Sequence, residues 1–233
     1  MSLLHDYRAE LQAADARLIA TVAALSDDEM RAPSALPGWT RGHVVTHVAR
    51  NADSLVNLLT WARTGVVTPQ YRDAAERDAG IEAGYARPAK EQLADLEEST
   101  ARFAAAADAI PGDRWNALVS GTRPPEHPAW YILMRRLREV EIHHGDLGAA
   151  YTWRDWPDRY VDWEWRDSPA LAGEPTYRSL TATDTGETIA GTGGPDLRAT
   201  KRELVAWLIG RHDPDGFPAP PPWMVRSAPE GLA

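Results

Sequence analysis

The residues best suited to chemistry are histidines and glutamates that recur four positions apart. His43 and His47 form one such pair, and Glu139 and His143 form another much further along the chain. Residues four apart share one face of a helix, so each pair presents two side chains in one direction. Glu139 and His143 could therefore bind one divalent metal, with His47 or His43 as a third ligand from a neighbouring helix. Imidazole and carboxylate suit zinc, nickel or iron, and three protein ligands leave a coordination position open, as in catalytic sites.

The same spacing also fits an ordinary surface helix on which a glutamate and a histidine form an ion pair. Glu141 and His144 point off the shared face, so we expect them to pack against neighbours or to be solvated. His43 is expected either to support a ligand or to serve only as a helix N-terminal residue. Asp146, three residues after His143, could hydrogen-bond that imidazole or pair with an arginine.

Helical periodicity and helix-ending residues predict four long helices before residue 151. The predicted helices span residues 2–25, 40–64, 88–110 and 128–150. Thr40 is suited to cap the second helix, and Gly65 is suited to end it. The connection 66–87 is expected to be a long loop because it contains Pro69, Gly80 and Gly84. Four helices of this length predict a bundle.

The chain changes character after Tyr151. Residues 152–175 are rich in Trp, Asp and Pro and carry no pattern that we can assign. The remaining predicted elements are a strand over 176–183, a turn over 184–186, a returning strand over 187–190, a helix over 200–210 and an extended or loosely ordered proline-rich tail from residue 214. The sequence therefore predicts an α+β fold, with a four-helix bundle over residues 1–151 and a small α+β domain over residues 152–233.

Composition narrows the kinds of partner. The net charge of -9 argues against a nucleic-acid binder, since such proteins meet phosphates with Lys and Arg. No apolar run approaches the roughly 20 residues that a membrane helix needs, and the N-terminus lacks a secretion-signal pattern, so we expect a cytoplasmic protein. The chain contains no cysteine, so any thiol used in its chemistry must arrive on a small molecule.

Three segments of the chain resemble motifs of the mycothiol-dependent maleylpyruvate isomerase family, which belongs to the DinB-like metalloenzymes. They are residues 37–52 (PGWTRGHVVTHVARNA), residues 138–147 (REVEIHHGDL) and residues 204–211 (LVAWLIGR). The turn at 184–186 fits the same family. The resemblance implies a DinB-like four-helix bundle that carries a zinc site, followed by a small α+β domain.

The resemblance also implies roles for particular residues. The metal ligands fall on His47, Glu139 and His143, Arg211 is the candidate catalytic residue, and Arg77 is expected to face bound substrate or cofactor. An arginine at a helix end also suits the helix dipole without any function, and this alternative stays open for Arg211.

The implied reaction is the cis–trans isomerisation of maleylpyruvate, a small dicarboxylate, to fumarylpyruvate, with mycothiol as the thiol and a divalent metal, zinc by resemblance. Two rival functions remain open at this point. One is a mycothiol-dependent S-transferase on the same scaffold, and the other is a non-enzymatic metal-binding regulator. The oligomeric state cannot be read from the sequence.

Overall fold

The computed structural model describes residues 3–122 and 125–223, which divide into two compact units. One unit runs up to Thr122 and resumes over Glu126–Thr152, and the other comprises Pro125 and the chain from Trp153 onward. None of the helices in the described part of the chain combines the length and apolar character needed to cross a bilayer.

The first unit is helical. Its helices are α1 (Leu3–Ala23), α2 (Asp27–Arg31), α3 (Arg41–Thr64), α4 (Ala74–Glu82), α5 (Ala89–Asp108) and α6 (Tyr131–Asp146). The four long helices form a bundle in which α1 and α3 each pack against both α5 and α6. A 3-10 turn over Gly112–Asn116 and two short antiparallel strands, β1 (Leu118–Val119) and β2 (His127–Pro128), connect α5 to α6.

The bounds of α3 follow from its capping residues, as the sequence predicts. The Thr40 side chain accepts a hydrogen bond from the backbone of His43, and Gly65 ends the helix in the left-handed conformation with φ of 76°. A residue with a Cβ adopts that conformation only at a cost, so glycine suits the position. Apolar residues that recur along α3 are buried; they include Val44, Val48, Leu55, Leu58 and Leu59.

Two predictions for this unit were wrong in detail. The segment 66–87 is not a continuous loop, because α4 lies within it and is capped by the Asp73 side chain, which accepts a hydrogen bond from Glu76 N at 2.8 Å. The fourth long helix is shorter than the predicted 128–150. Pro128 belongs to β2, and Gly148, with φ of 65°, lies just beyond the end of α6.

The second unit combines two helices with a small sheet. Helix α7 (Asp158–Leu171) fills the stretch that carried no readable pattern, and α8 (Lys201–Leu208) begins at a Thr200 capping box. Strand β3 (Ser179–Ala182) pairs antiparallel with β4 (Thr188–Ala190) and parallel with β5 (Asp196–Ala199), so the sheet order is β4-β3-β5. The predicted hairpin is therefore confirmed, and β5 was missed. The predicted proline-rich tail is described only to residue 223, and its remainder lies outside the described residues.

Helices and small sheets together confirm the α+β fold class. In the first unit, α3 contributes one candidate ligand and α6 contributes two, and these helices pack directly against each other. The bundle thus supplies the close approach of helices that a shared metal site requires.

Candidate metal centre

The predicted ligand residues come together between α3 and α6. One ligand atom from each of His47, Glu139 and His143 lies within 4.8 Å of the other two. Nε2 of His47 is 3.1 Å from Glu139 Oε2 and 3.1 Å from His143 Nε2, and Nε2 of His143 is 3.4 Å from Glu139 Oε2. Among the described residues, this is the group of at least three potential ligands that could hold a metal ion.

These distances match the separations expected between the ligand atoms around a small divalent cation. Ligand atoms about 2.0–2.1 Å from a tetrahedral zinc lie roughly 3.3 Å from one another, close to the three separations seen here. His47 is 5% exposed, whereas the side chains of Glu139 and His143 are 26% and 16% exposed. The cluster therefore has one side that a small molecule can reach, as an open coordination position requires.

The protonation of the three groups decides how they can accept a cation. Burial lowers the pKa of His47, and His143 acts in the same direction. Burial would also lower the pKa of His143, but hydrogen bonds with Asp146 and Glu139 outweigh it and raise this pKa to about 9. Burial would raise the pKa of Glu139, yet hydrogen bonds from His143 and His47 hold it well below its usual value. An ionised carboxylate between two imidazoles is a donor set that accepts a divalent metal in exchange for a proton.

Asp146 orients one of the candidate ligands. Nδ1 of His143 donates to Asp146 Oδ2 at 2.9 Å, so Nε2 of the same ring is the nitrogen that faces His47 and Glu139. A carboxylate behind a ligating histidine fixes the ring orientation and raises its basicity. Of the two alternatives that the sequence left open for Asp146, the contact with the imidazole is thus present. Nδ1 of His47 is buried and makes no hydrogen bond within the described chain.

Glu141 and His144 point away from the cluster, as predicted. Glu141 is fully buried and accepts a hydrogen bond from Arg17 at 2.5 Å, while His144 Nε2 lies 2.7 Å from Thr21 Oγ1 on α1. Both side chains therefore join α6 to α1. Of the two alternatives expected for Glu141 and His144, packing against neighbours is the one that the structure shows, since both side chains are buried.

His43 belongs to the start of α3 and not to the metal cluster. Its Nδ1 accepts a hydrogen bond from Thr40 N at 3.1 Å, which completes a capping box in which histidine replaces the usual glutamate. The ring stacks on Tyr85 with a centroid distance of 3.7 Å. Trp39 lies beside both histidines, 5.9 Å from His43 and 5.6 Å from His47 between ring centroids. No sequence pattern pairs Tyr85 with His43, since the connection between α3 and α5 sets that contact.

Two arginines add positive charge close to the cluster. Arg77 on α4 lies near enough to contribute to the lowered pKa of His47, and it helps line a cleft of about 270 Å³ together with Tyr71. Arg135, one helical turn before Glu139 on α6, donates to Gln70 Oε1 at 2.7 Å. The family resemblance points to Arg77 but not to Arg135, whose i, i+4 spacing to Glu139 is the signal that could have found it.

Arg211 lies in the second unit, just past the end of α8. Its backbone N–H bonds to Ala206 O at 2.8 Å, and Gly210 before it has φ of 69° and bonds to Trp207 O at 2.9 Å. This is a Schellman motif, which closes the helix and sets the direction of the chain at Arg211. The side chain donates to Ile209 O at 3.0 Å. A part for Arg211 in binding substrate stays a prediction.

A known protein family matches the part of the chain that carries the candidate ligands. The family model described as the mycothiol maleylpyruvate isomerase N-terminal domain matches residues 11–148, which span the bundle and all three candidate ligands. The chain belongs to the mycothiol maleylpyruvate isomerase family. This confirms the resemblance seen in the sequence motifs. No curated protein matches the chain.

Solved structures of the same family resemble nearly the whole chain. A crystal structure of the mycothiol-dependent maleylpyruvate isomerase is 27% identical, with a TM-score of 0.84, and covers 96% of this chain and 100% of its own. A histidine-to-alanine mutant of that isomerase gives a TM-score of 0.83 at the same identity and coverage. The likeness to this isomerase structure thus extends over both units and not over the bundle alone.

Proposed function

We propose that this chain is a metal-dependent, mycothiol-dependent isomerase that converts maleylpyruvate to fumarylpyruvate. The observation that carries the proposal is the convergence of His47, Glu139 and His143, each offering one ligand atom within 4.8 Å of the others, in a member of this isomerase family. We further propose that residues 1–151 form the metal-bearing domain and residues 152–233 a separate α+β domain. The cytoplasmic location stays a prediction from the sequence.

The candidate ligands would hold a divalent metal, for which zinc is our first choice. When bound, such a metal supplies positive charge that lowers the pKa of a coordinating thiol. His47 and His143 would contribute neutral imidazoles and Glu139 a carboxylate, and Asp146 would keep Nε2 of His143 directed at the site. The partly exposed side of the cluster leaves room for the thiol sulfur.

The thiol must come from a small molecule, because the chain has no cysteine. The chemistry that this thiol would supply is reversible nucleophilic addition to the carbon–carbon double bond of maleylpyruvate, with the electron pair taken up by the conjugated carbonyl. The bond would then be free to rotate, and loss of the same thiolate would restore the double bond in the trans geometry. No atom is gained or lost overall, so the thiol would be regenerated and would act as a nucleophilic catalyst.

Arginines would bind the negative groups of the substrate. Maleylpyruvate carries two carboxylates, and its conjugated carbonyl gains further charge when it takes up the electron pair. Arg77 lines a cleft and lies near enough to His47 to lower the pKa of that ring, and a guanidinium can hold a carboxylate by two parallel hydrogen bonds. We propose that Arg77 binds one substrate carboxylate, and that Arg211 contributes a second guanidinium in the working enzyme.

The proposal is tested with the purified full chain, zinc, mycothiol and maleylpyruvate. We expect conversion to fumarylpyruvate, followed by proton NMR, only when both thiol and metal are present, and its loss in Glu139→Gln. His43→Gln is the matched control on the ligand-bearing helix and should retain activity. A product that keeps the thiol attached would identify an S-transferase instead. Bound metal without thiol-dependent turnover would favour a non-enzymatic regulator.

A further inference from the structure

The cleft that Arg77 helps to line also contains Tyr71, to which the proposed function assigns no part. The cleft has a volume of about 270 Å³, and both side chains lie in its wall. Burial lowers the pKa of His47 and Arg77 adds to that shift, while burial raises the pKa of Tyr71 and Glu139 adds to that one. Both wall residues therefore lie within electrostatic reach of the candidate metal ligands. A role for Tyr71 at this site rests on the proposed function and extends it.

A buried glutamine fixes the segment that carries Tyr71. Gln70 is 5% exposed, and its backbone O accepts a hydrogen bond from Asn57 Nδ2 at 3.3 Å. Its side-chain Oε1 accepts from Arg135 at 2.7 Å, and its Nε2 donates to Ser54 Oγ at 3.2 Å. These contacts tie the connection between α3 and α4 to both helices that carry candidate ligands. Tyr71 is therefore held in place before any ligand binds, as a group that acts on a substrate requires.

Tyr71 also carries a proton that a ligand can take as a hydrogen bond. The other neutral donors in the cleft wall are already used: Ser54 donates to Asn51 O at 2.8 Å, Asn57 donates to Gln70 O, and Gln70 donates to Ser54. Tyr71 lies beside Ser54, and because the single proton of Ser54 goes to Asn51, Tyr71 is the donor of that pair. An oxygen with negative charge is a stronger acceptor than the neutral Ser54 hydroxyl, so it would take this hydrogen bond.

The charged groups in the cleft wall leave room for an anion. The wall carboxylates Asp53 and Glu76 each pair with an arginine that does not line the cleft. Asp53 accepts from Arg102 Nε at 2.9 Å, and Glu76 accepts from Arg72 Nε at 2.8 Å. Because these carboxylates are neutralised from outside, the guanidinium of Arg77 in the wall remains available to a negative ligand.

Arg135 adds a positive charge to the surroundings of Tyr71. Its guanidinium has neutral partners, Gln70 Oε1 at 2.7 Å and His127 Nε2 at 3.1 Å, and it forms no salt bridge within the part of the chain that the structure describes. Its charge and that of Arg77 both oppose the raised pKa of Tyr71, whose main cause is burial. Negative charge on a ligand oxygen at the Tyr71 hydroxyl would be stabilised by the same two guanidinium groups.

We propose that Tyr71 is a catalytic residue whose hydroxyl donates a hydrogen bond to the substrate's keto oxygen that is conjugated with the double bond, while Arg77 holds a carboxylate. When the double bond accepts a nucleophile, its electron pair shifts toward that keto oxygen, so the hydrogen bond is stronger during the reaction than in the bound substrate. The proton stays on Tyr71, and the electron pair returns when the double bond re-forms. The cleft thereby selects a carboxylate that carries a conjugated ketone.

Tyr71→Phe removes the hydroxyl and keeps the ring. In the zinc-loaded full chain with mycothiol, kcat for maleylpyruvate should fall about 100-fold or more, the usual effect of losing one donor to an oxygen that gains charge. KM should change by less than about fivefold, and the zinc content should not change. Tyr85→Phe is the matched control with wild-type kinetics, because Tyr85 stacks on His43 and lies outside the cleft wall. An unchanged kcat in Tyr71→Phe would overturn the proposal.

A binding measurement without the thiol separates Tyr71 from the fate of the reaction. Fumarylpyruvate carries the conjugated ketone, whereas fumarate keeps a trans double bond between two carboxylates and lacks the ketone. In calorimetric titrations of the zinc-loaded protein, Tyr71→Phe should bind fumarylpyruvate about fivefold more weakly, the effect of one hydrogen bond, and fumarate as the wild type does.

The outcomes of that titration are distinct. Equal weakening for both probes, no weakening, or a wild type that does not bind fumarylpyruvate would each overturn the role of Tyr71. Binding of fumarylpyruvate that depends on Tyr71, in a wild type without thiol-dependent turnover, would support the contact and reject the proposed reaction.

Discussion

Nδ1 of His143 donates to Asp146 Oδ2 at 2.9 Å, and Nε2 of the same ring lies 3.1 Å from His47 Nε2. One ring therefore joins a supporting carboxylate on one side to a ligand cluster on the other. Because both His143 and Asp146 lie on α6, three residues apart, the helix itself fixes this geometry. We propose that this contact makes Asp146 a positioning residue for the candidate ligand His143, while Asp146 itself supplies no ligand atom to the cluster.

Asp146→Asn should weaken zinc binding by about 10–100-fold, the usual effect of losing a carboxylate behind a ligating histidine. The amide cannot stabilise the ring in the same way, yet its size is nearly the same, so the bundle should remain folded. Competition with a chromophoric chelator measures the affinity. Asp28→Asn is the control, since the Asp28 side chain is 95% exposed. Equal affinities in the two variants would contradict the orienting role.

The two histidines of α3 should respond differently to replacement. His47→Ala should lose the divalent ion, of which we expect about one per chain in the wild type purified without chelator. His43→Ala should keep the ion but lower the free energy of unfolding by about 1 kcal/mol, because the capping hydrogen bond from Thr40 N is lost. Elemental analysis and denaturant unfolding give the two measurements. A wild type that binds no metal when zinc is supplied would remove the basis for the proposed function.

Arg77→Ala should lower kcat/KM for maleylpyruvate by about 10–100-fold without loss of metal, because a guanidinium that holds a carboxylate in place is removed. Arg77→Lys should recover only part of the loss, since an ammonium cannot form the two parallel hydrogen bonds. Arg31→Ala serves as the control, because Arg31 is an exposed arginine on α2 that pairs with Asp28. Unchanged kinetics in Arg77→Ala would remove this residue from the substrate site.

The site could be predicted from the sequence because its signals are local. Glu139 and His143 share a helix face by spacing alone, and Thr40 and Gly65 mark the ends of the helix that carries His47. The choice of His47 over His43 came from family resemblance, since both histidines lie on α3 and spacing could not separate them. The structure shows the physical difference, which is that the His43 ring turns back to cap the helix.

Other elements could not be predicted because their signals conflict or are not local. Helix α4 contains Gly80, and because glycine disfavours helices the segment was predicted to be a loop although Asp73 and Glu76 form a capping pattern. Helix α7 buries Glu164 and Asp167 on the same side as Trp165, so its inner face does not read as apolar. Strand β5 is four residues long and is defined by its parallel pairing with β3, which no pattern within the strand reveals.

A histidine remote from the ligand set should govern part of the acid sensitivity of the fold. His127 is 1% exposed, and burial together with the nearby Arg135 lowers its pKa from 6.5 to about 4. The unfolded chain takes up a proton at this residue near pH 6.5, whereas the folded chain does so only near pH 4. The unfolded state therefore binds more protons between these values, and the free energy of unfolding falls as the pH drops through this range.

Protonation of His127 can lower the free energy of unfolding by at most roughly 3 kcal/mol, since each unit of pKa difference corresponds to 1.36 kcal/mol. Above pH 6.5 the residue is neutral in both states and this loss is absent. His127→Gln keeps a group that can donate to Pro128 O and accept from Arg135 but does not titrate. Urea unfolding from pH 7 to pH 4 should thus show a flatter pH dependence in His127→Gln than in the wild type. His5→Gln, at an exposed position of α1, should keep the wild-type slope. Parallel curves for the wild type and His127→Gln would mean that His127 does not carry this dependence and that other groups do.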